Sequence, residues 1–304
     1  MELAARIAPF FALIAVGAVL ARLRILDDRL GRWLSAYTYW IGFPALLVSW
    51  LGTAPPPDAG LARALAIYAA VMSAVLGLAV IAGRIRRWPA EARAGVPLVA
   101  AVGNTAFLGA PLAVSVLGAG ARAPAAAIVA VDFVLLLGVG VAVLQGGRNE
   151  PAWRGLRRVL LNPTVVGAGI GLALSALRLR LPEPAAGGLA LIALTTSPVA
   201  LVALGGLIGR ERALPARADF EPLGAALLLK LAVAPVLVWL ALEAVGTARE
   251  LVAAAVLLAA CPTAVNVFIQ TRTAEVFARP AAQAVAIGTV ISALTLTLAA
   301  HLLA

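Results

Sequence analysis

The chain has 304 residues, of which 63% are hydrophobic and only 12% charged, with a mean hydropathy of +1.02. A soluble domain carries about 25% charged residues, and no soluble fold of this length could hide so much apolar surface. The net charge of +10 does not describe a nucleic-acid-binding face, because the arginines fall in short loops between apolar runs, where they read as topology signals.

A bilayer core about 30 Å thick needs about 20 apolar residues per crossing helix. Ten runs approach that length, at roughly 5–21, 33–52, 61–82, 96–117, 124–144, 162–179, 185–207, 222–242, 249–270 and 281–303. The first has no positive leading segment, since Glu2 and Arg6 cancel, so it is expected to be a retained helix rather than a cleaved signal. Proline and glycine mark the breaks. Pro55, Pro56 and Pro57 follow the second run, Pro89 follows the third, and Gly209 and Pro215 follow the seventh. The longest connection, Gln145–Leu161, alternates Trp153, Leu156, Val159 and Leu160 with Arg154, Arg157 and Arg158, the pattern of a helix lying on a membrane surface.

Arginine placement orients these spans. Loops after odd-numbered spans hold seventeen arginines, the opposite side holds six, and Lys230 lies inside the eighth span. The arginine-rich side is expected to be cytoplasmic, with both termini outside. The fold class expected is an all-α integral membrane protein of ten transmembrane helices. Residues 1–144 form one five-helix repeat, 145–161 a cytoplasmic connector and 162–304 a second repeat. An odd number of helices per half inverts the second repeat, a common plan for secondary transporters.

Two spans are poor recipes for continuous helices. The fourth reads Gly103-Asn104-Thr105-Ala106-Phe107-Leu108-Gly109-Ala110-Pro111, and the ninth reads Cys261-Pro262-Thr263-Ala264-Val265-Asn266. Proline removes a backbone donor and clashes with the preceding turn. Freed backbone groups survive in a membrane only when buried in protein or lining a wet cavity. Small residues also serve simple helix packing, and proline kinks are common. Two breaks at matching places of two halves, each with an asparagine, favour a site. Its candidate residues are Gly103, Asn104, Thr105, Gly109, Pro111, Pro262, Thr263 and Asn266. Half-helix N-termini there carry partial positive charge, which suits an anion. Asp132 in the fifth span and Lys230 in the eighth complete the set, and by sign each is the other's expected partner, in an ion pair or a proton-linked pair in at least one transport state. An ion in the bilayer centre costs from about 2.5 kcal/mol upward, so each is expected to face a cavity or a partner. A snorkelling lysine is the plainer reading of Lys230.

The Gly103–Pro111 stretch resembles the fourth-span signature of the auxin efflux carrier family. The segment Cys261–Phe268 is similar to that family's ninth-span motif, and Phe43-Pro44-Ala45-Leu46-Leu47 and Leu161-Asn162-Pro163 resemble its second- and sixth-span motifs. The resemblance implies ten helices with broken, crossing fourth and ninth members. It implies transport of organic anions such as dicarboxylates or indole acetate. This chain lacks the long central loop of many plant members and looks like the compact bacterial type.

The function expected is therefore secondary transport of a small carboxylate- or dicarboxylate-like anion by alternating access, coupled to protons or sodium. It is expected in the bacterial inner membrane, with no resident cofactor and no nucleic-acid partner. The bilayer and, at most, a second copy of the chain complete the expected partners. A channel or membrane sensor on the same fold is the alternative. An intramembrane enzyme is disfavoured, because the single cysteine (Cys261) and single histidine (His301) leave no disulfide, no cysteine cluster and no histidine pair. A C-terminal phosphatase fusion is expected to be active, and a fluorescent fusion at the same end dark. The reverse pair of results overturns the orientation.

Overall fold

The computed structural model describes residues 2–133, 157, 160–210 and 215–303. Twelve helical segments make up most of the described chain, and one β-bridge joins Gly103 to Thr263. They are α1 (Glu2–Arg22), α2 (Asp28–Gly52), α3 (Ala59–Ile85), α4 (Ala90–Ala101), α5 (Thr105–Leu117), α6 (Ala119–Val131), α7 (Pro163–Ala176), α8 (Glu183–Arg210), α9 (Arg217–Ala244), α10 (Arg249–Ala259), α11 (Val265–Thr273) and α12 (Ala278–Leu303). Among the described residues, six helices are long and apolar enough to cross a membrane: α1, α2, α3, α8, α9 and α12. The second half of the fifth span and nearly all of the amphipathic connector lie outside the described residues.

Local chemistry starts several helices. Asp27 accepts from Leu30 N at 2.7 Å, Asp58 from Leu61 N at 2.7 Å, and Asn162 from Thr164 N at 2.9 Å. These side chains cap α2, α3 and α7 by filling donors that the first helical turn leaves open. Pro163 occupies the first position of α7, where its missing N–H costs nothing.

Among the described residues, three helices contain a complete wider turn that the sequence reading did not anticipate, and α6 runs into another at Asp132. Thr38–Gly42 in α2, Thr105–Gly109 in α5 and Leu229–Val233 in α9 are π-turns. Each is closed by a bond from a residue to the carbonyl five positions back: Phe43 to Thr38, Ala110 to Thr105, and Ala234 to Leu229. A proline follows immediately in every case, namely Pro44, Pro111 and Pro235. A proline ring clashes with the carbonyl four residues before it, and that carbonyl lies inside each π-turn. The extra residue gives the ring room without ending the helix. Turns of this kind recur at functional sites.

The exposed surface is greasy. Leu194 is 73% exposed and Leu294 77%, which water would not tolerate but acyl chains do. The interior is made of small residues. Every residue from Val252 to Ala259 in α10 is buried, as is every residue from Gly95 to Ala101 in α4. The short helices α4 and α10 thus lie at the inside of the described body.

Packing divides the described helices into two bodies. In the first, α1 lies along α8 and α7 lies along α2. Both contacts depend on glycine. A β-carbon on Gly205 would run into the Ile14 carbonyl, and one on Gly17 into that of Val202. Gly167 meets Pro44 and Gly171 meets Leu47 in the same way. In the second body, α3 packs on α4, α9 on α10 and α11 on α12. An exposed ion pair, Arg86 Nε to Glu221 Oε1 at 2.6 Å, ties the turn after α3 to the start of α9. Trp88 donates to the same oxygen at 3.2 Å.

Gly205→Ala is expected to lower stability by about 1–3 kcal/mol, the usual cost of overpacking a close contact. Gly187→Ala, with open space around its β-carbon, should leave the melting temperature unchanged. Equal melting of the two variants would refute the close approach of α1 and α8.

Candidate functional site

The interruptions in the fourth and ninth spans meet. Gly103 and Thr263 form an antiparallel β-bridge. Asn104 N donates to the Pro262 carbonyl at 2.7 Å, and Ala264 N donates to the Val102 carbonyl at 3.0 Å. Each broken strand thus satisfies backbone groups freed by the other. Four half-helix ends converge here: the C-termini of α4 and α10 and the N-termini of α5 and α11.

The carbonyl ends are closed by named partners. At α10, the Val256 carbonyl takes Ala260 N, Leu258 takes Cys261 N, and Leu257 takes the Cys261 thiol at 3.4 Å. The Ala259 carbonyl accepts from Lys230 Nζ at 2.7 Å. At α4, Val99 accepts from the Thr263 hydroxyl at 2.9 Å. Lys230 is fully buried and places its charge at the partial negative end of α10, where a cation is favoured. It does not snorkel. Its ammonium crosses close over Gly103, where an added β-carbon would lie 2.9 Å from Nζ and 3.1 Å from Cε.

Asp132 is 3% exposed and belongs to a π-turn at the end of α6. Tyr68 of α3 donates to its Oδ2 at 3.3 Å. The Thr105 hydroxyl stands beside the carboxylate, turned so that it closes no well-aligned hydrogen bond among the described residues. The carboxylate and Lys230 make no approach within 4 Å; the described ion pairs are Arg86 with Glu221 and Arg210 with Asp28. Their charges act on each other across the crossing without contact. Among the described residues, three buried polar atoms around this point close no well-aligned hydrogen bond: Asn104 Nδ2, Thr105 Oγ1 and Asp132 Oδ1. Leaving such an atom unpaired costs about 1–3 kcal/mol, and three together form a polar locus inside an apolar body.

The structure therefore brings together Gly103, Asn104, Thr105, Pro262, Thr263, Lys230 and Asp132. Gly109 packs at the same place against Cys261, whose sulfur would lie 2.7 Å from an added β-carbon. Pro111 follows the π-turn and shapes backbone. Asn266, second residue of α11, is half-buried and makes no hydrogen bond with Asn104. Tyr68 and Ala259 were missed by sequence reading. Tyr68 had a signal, being the one phenol within the long apolar run 61–82. A backbone carbonyl such as that of Ala259 has none. Phe107 of α5 stacks on Phe43 of α2 with ring centroids 4.6 Å apart, so the crossing adjoins the first body through an aromatic contact. In α8, Thr195 and Thr196 both donate back to the Ile192 carbonyl.

A family model described as "Membrane transport protein" matches residues 3–147 and 153–300. The chain belongs to this family, that of the auxin efflux carriers. It is a multi-pass membrane protein of a transport family, and the affiliation points to a transporter rather than an enzyme. A protein of Rhizobium meliloti (strain 1021) named "Putative malonate transporter" is similar to it. The two are 28% identical over 304 residues, covering 97% of this chain and 94% of the relative.

Gly103→Ala is expected to displace the Lys230 ammonium and lower stability by about 1–3 kcal/mol. Lys230→Met should cost about 3 kcal/mol or more by leaving the Ala259 carbonyl unpaired and the buried Asp132 carboxylate without its balancing charge. The double variant should cost clearly less than the two added together, because both act on one contact. Additive melting shifts would separate the two residues.

Proposed function

We propose that this protein is a secondary transporter of a small organic anion of the carboxylate class, with the substrate held at the crossing of the two broken spans. The observation that carries the reading is a set of buried atoms that close no well-aligned hydrogen bond among the described residues, Asn104 Nδ2, Thr105 Oγ1 and Asp132 Oδ1, beside the N-termini of α5 and α11. An amide donor, a hydroxyl and two helix N-termini suit a carboxylate. Lys230 supplies a fixed balancing charge. The carboxylate of Asp132 is the group that takes the coupling ion, a proton or sodium, through its free oxygen. A dicarboxylate such as malonate, named for the Rhizobium relative, is the first substrate to try.

The architecture proposed is ten spans in two inverted five-helix repeats, with α4 and α5 forming the fourth span and α10 and α11 the ninth. Matching contacts in the two halves support it. The packing of α1 on α8 is answered by that of α7 on α2, and the packing of α3 on α4 by that of α9 on α10. Alternating access then consists of the second body, which holds the crossing, moving against the first. The Phe43–Phe107 stack is a contact this motion must break. The arginine distribution supports a cytoplasmic connector and external termini.

Purified protein in proteoliposomes is expected to accumulate malonate or a close dicarboxylate against its gradient, with saturation, when a proton or sodium gradient is imposed. Equilibration without accumulation would establish a channel instead. Asn104→Ala should weaken substrate-induced thermal stabilisation at least tenfold in apparent Kd while the unliganded melting temperature holds. Asp132→Asn and Lys230→Gln are each expected to cost about 3 kcal/mol or more by stranding a buried charge, and the double change less than their sum. Uptake by the double variant should lose its dependence on the coupling gradient; retained dependence would remove Asp132 from the coupling role.

A further inference from the structure

Between the end of α1 and the start of α2 the chain turns through Leu23–Asp27. A hollow of about 380 Å3 lies there, walled by Arg22, Arg24, Leu26, Asp27, Asp28 and Arg210 of α8. Its two carboxylates are engaged. Asp27 caps α2 through Leu30 N at 2.7 Å, and Asp28 pairs with Arg210 Nε at 3.3 Å. Arg210 also donates to the Leu26 carbonyl at 3.0 Å, so its guanidinium is strapped in place. Arg22 and Arg24 are exposed and have no carboxylate or carbonyl partner among the described residues.

The surroundings set the level of this hollow. Helices α1 and α8 are apolar spans that end side by side in Arg22 and Arg210. Leu23 and Ile25, on either side of Arg24, are about as exposed as Trp33 in the second turn of α2. Apolar side chains open to the outside and arginines at the same height describe the boundary between acyl chains and headgroups.

We propose that this hollow binds the phosphate of an anionic phospholipid. Arginine presents a planar fork of donors that matches phosphate oxygens, and basic recesses at helix ends take acidic headgroups in this way. The phosphate sits between Arg22 and Arg24, with Arg210 as the fixed wall. The acyl chains cover Leu23, Ile25 and Trp33. That apolar rim is the reason to name a lipid rather than free phosphate, which has nothing to lay upon it. The site lies on the first body and fastens that body to the bilayer.

The test is native mass spectrometry of the full chain released from nanodiscs of phosphatidylcholine with graded phosphatidylglycerol. Wild-type protein should retain phosphatidylglycerol over phosphatidylcholine, and the R22Q/R24Q double variant should lose that preference by an order of magnitude or more. The R22K/R24K variant should keep part of it, and all variants should melt alike in pure phosphatidylcholine. Inorganic phosphate at millimolar concentration should not displace the lipid. Undiminished preference in R22Q/R24Q overturns the site. Displacement by inorganic phosphate overturns the lipid assignment and makes the hollow a soluble-anion site.

Discussion

Backbone amides and carbonyls in a low-dielectric interior must find partners, and in this protein two interrupted helices find them in each other. The bonds from Asn104 N to Pro262 and from Ala264 N to Val102 form one short antiparallel exchange at the centre of an otherwise helical body. Without it, the proline and glycine breaks would leave several groups unpaired, each at a cost of several kcal/mol in a membrane. The surrounding design follows from that exchange. Helices α4 and α10 are short because they stop there, and they are made of alanine, valine and leucine because other helices must enclose them closely. The buried lysine is tolerable because the end of α10 offers a carbonyl and a favourable dipole.

Much of this could be read from the chain. The apolar runs, their breaks and the two motifs with misplaced prolines follow from hydropathy and from the known effect of proline. The buried charges stood out because they interrupt apolar runs, and their burial agrees with that reading. What could not be read was partnership. Periodicity places Lys230 within a span, but its bond is to a carbonyl 29 residues later, and a carbonyl has no sequence signature. The absence of direct contact between Asp132 and Lys230 likewise depends on how far α6 and α9 stand apart.

The π-turns were hidden for a different reason. Pro44, Pro111 and Pro235 look alike to any pattern that treats proline as a helix breaker. In a soluble helix a break is an acceptable outcome, since water takes up the freed groups. Here the helix must continue across the bilayer, so the strain is spread over one widened turn. The result is that Thr105 and Lys230 sit on locally unwound backbone, where side chains point in directions that a regular helix does not offer.

Cys261 is the chain's single cysteine, and its thiol is wedged where α5 and α10 meet, against Gly109 and below the Leu257 carbonyl. Nature has thereby installed one chemical reporter at the joint of the molecule and nowhere else. A maleimide reaching that sulfur must pass between the two half-helices. Its rate of attachment therefore measures how often the joint parts, and a substrate that clamps the joint would slow the clock.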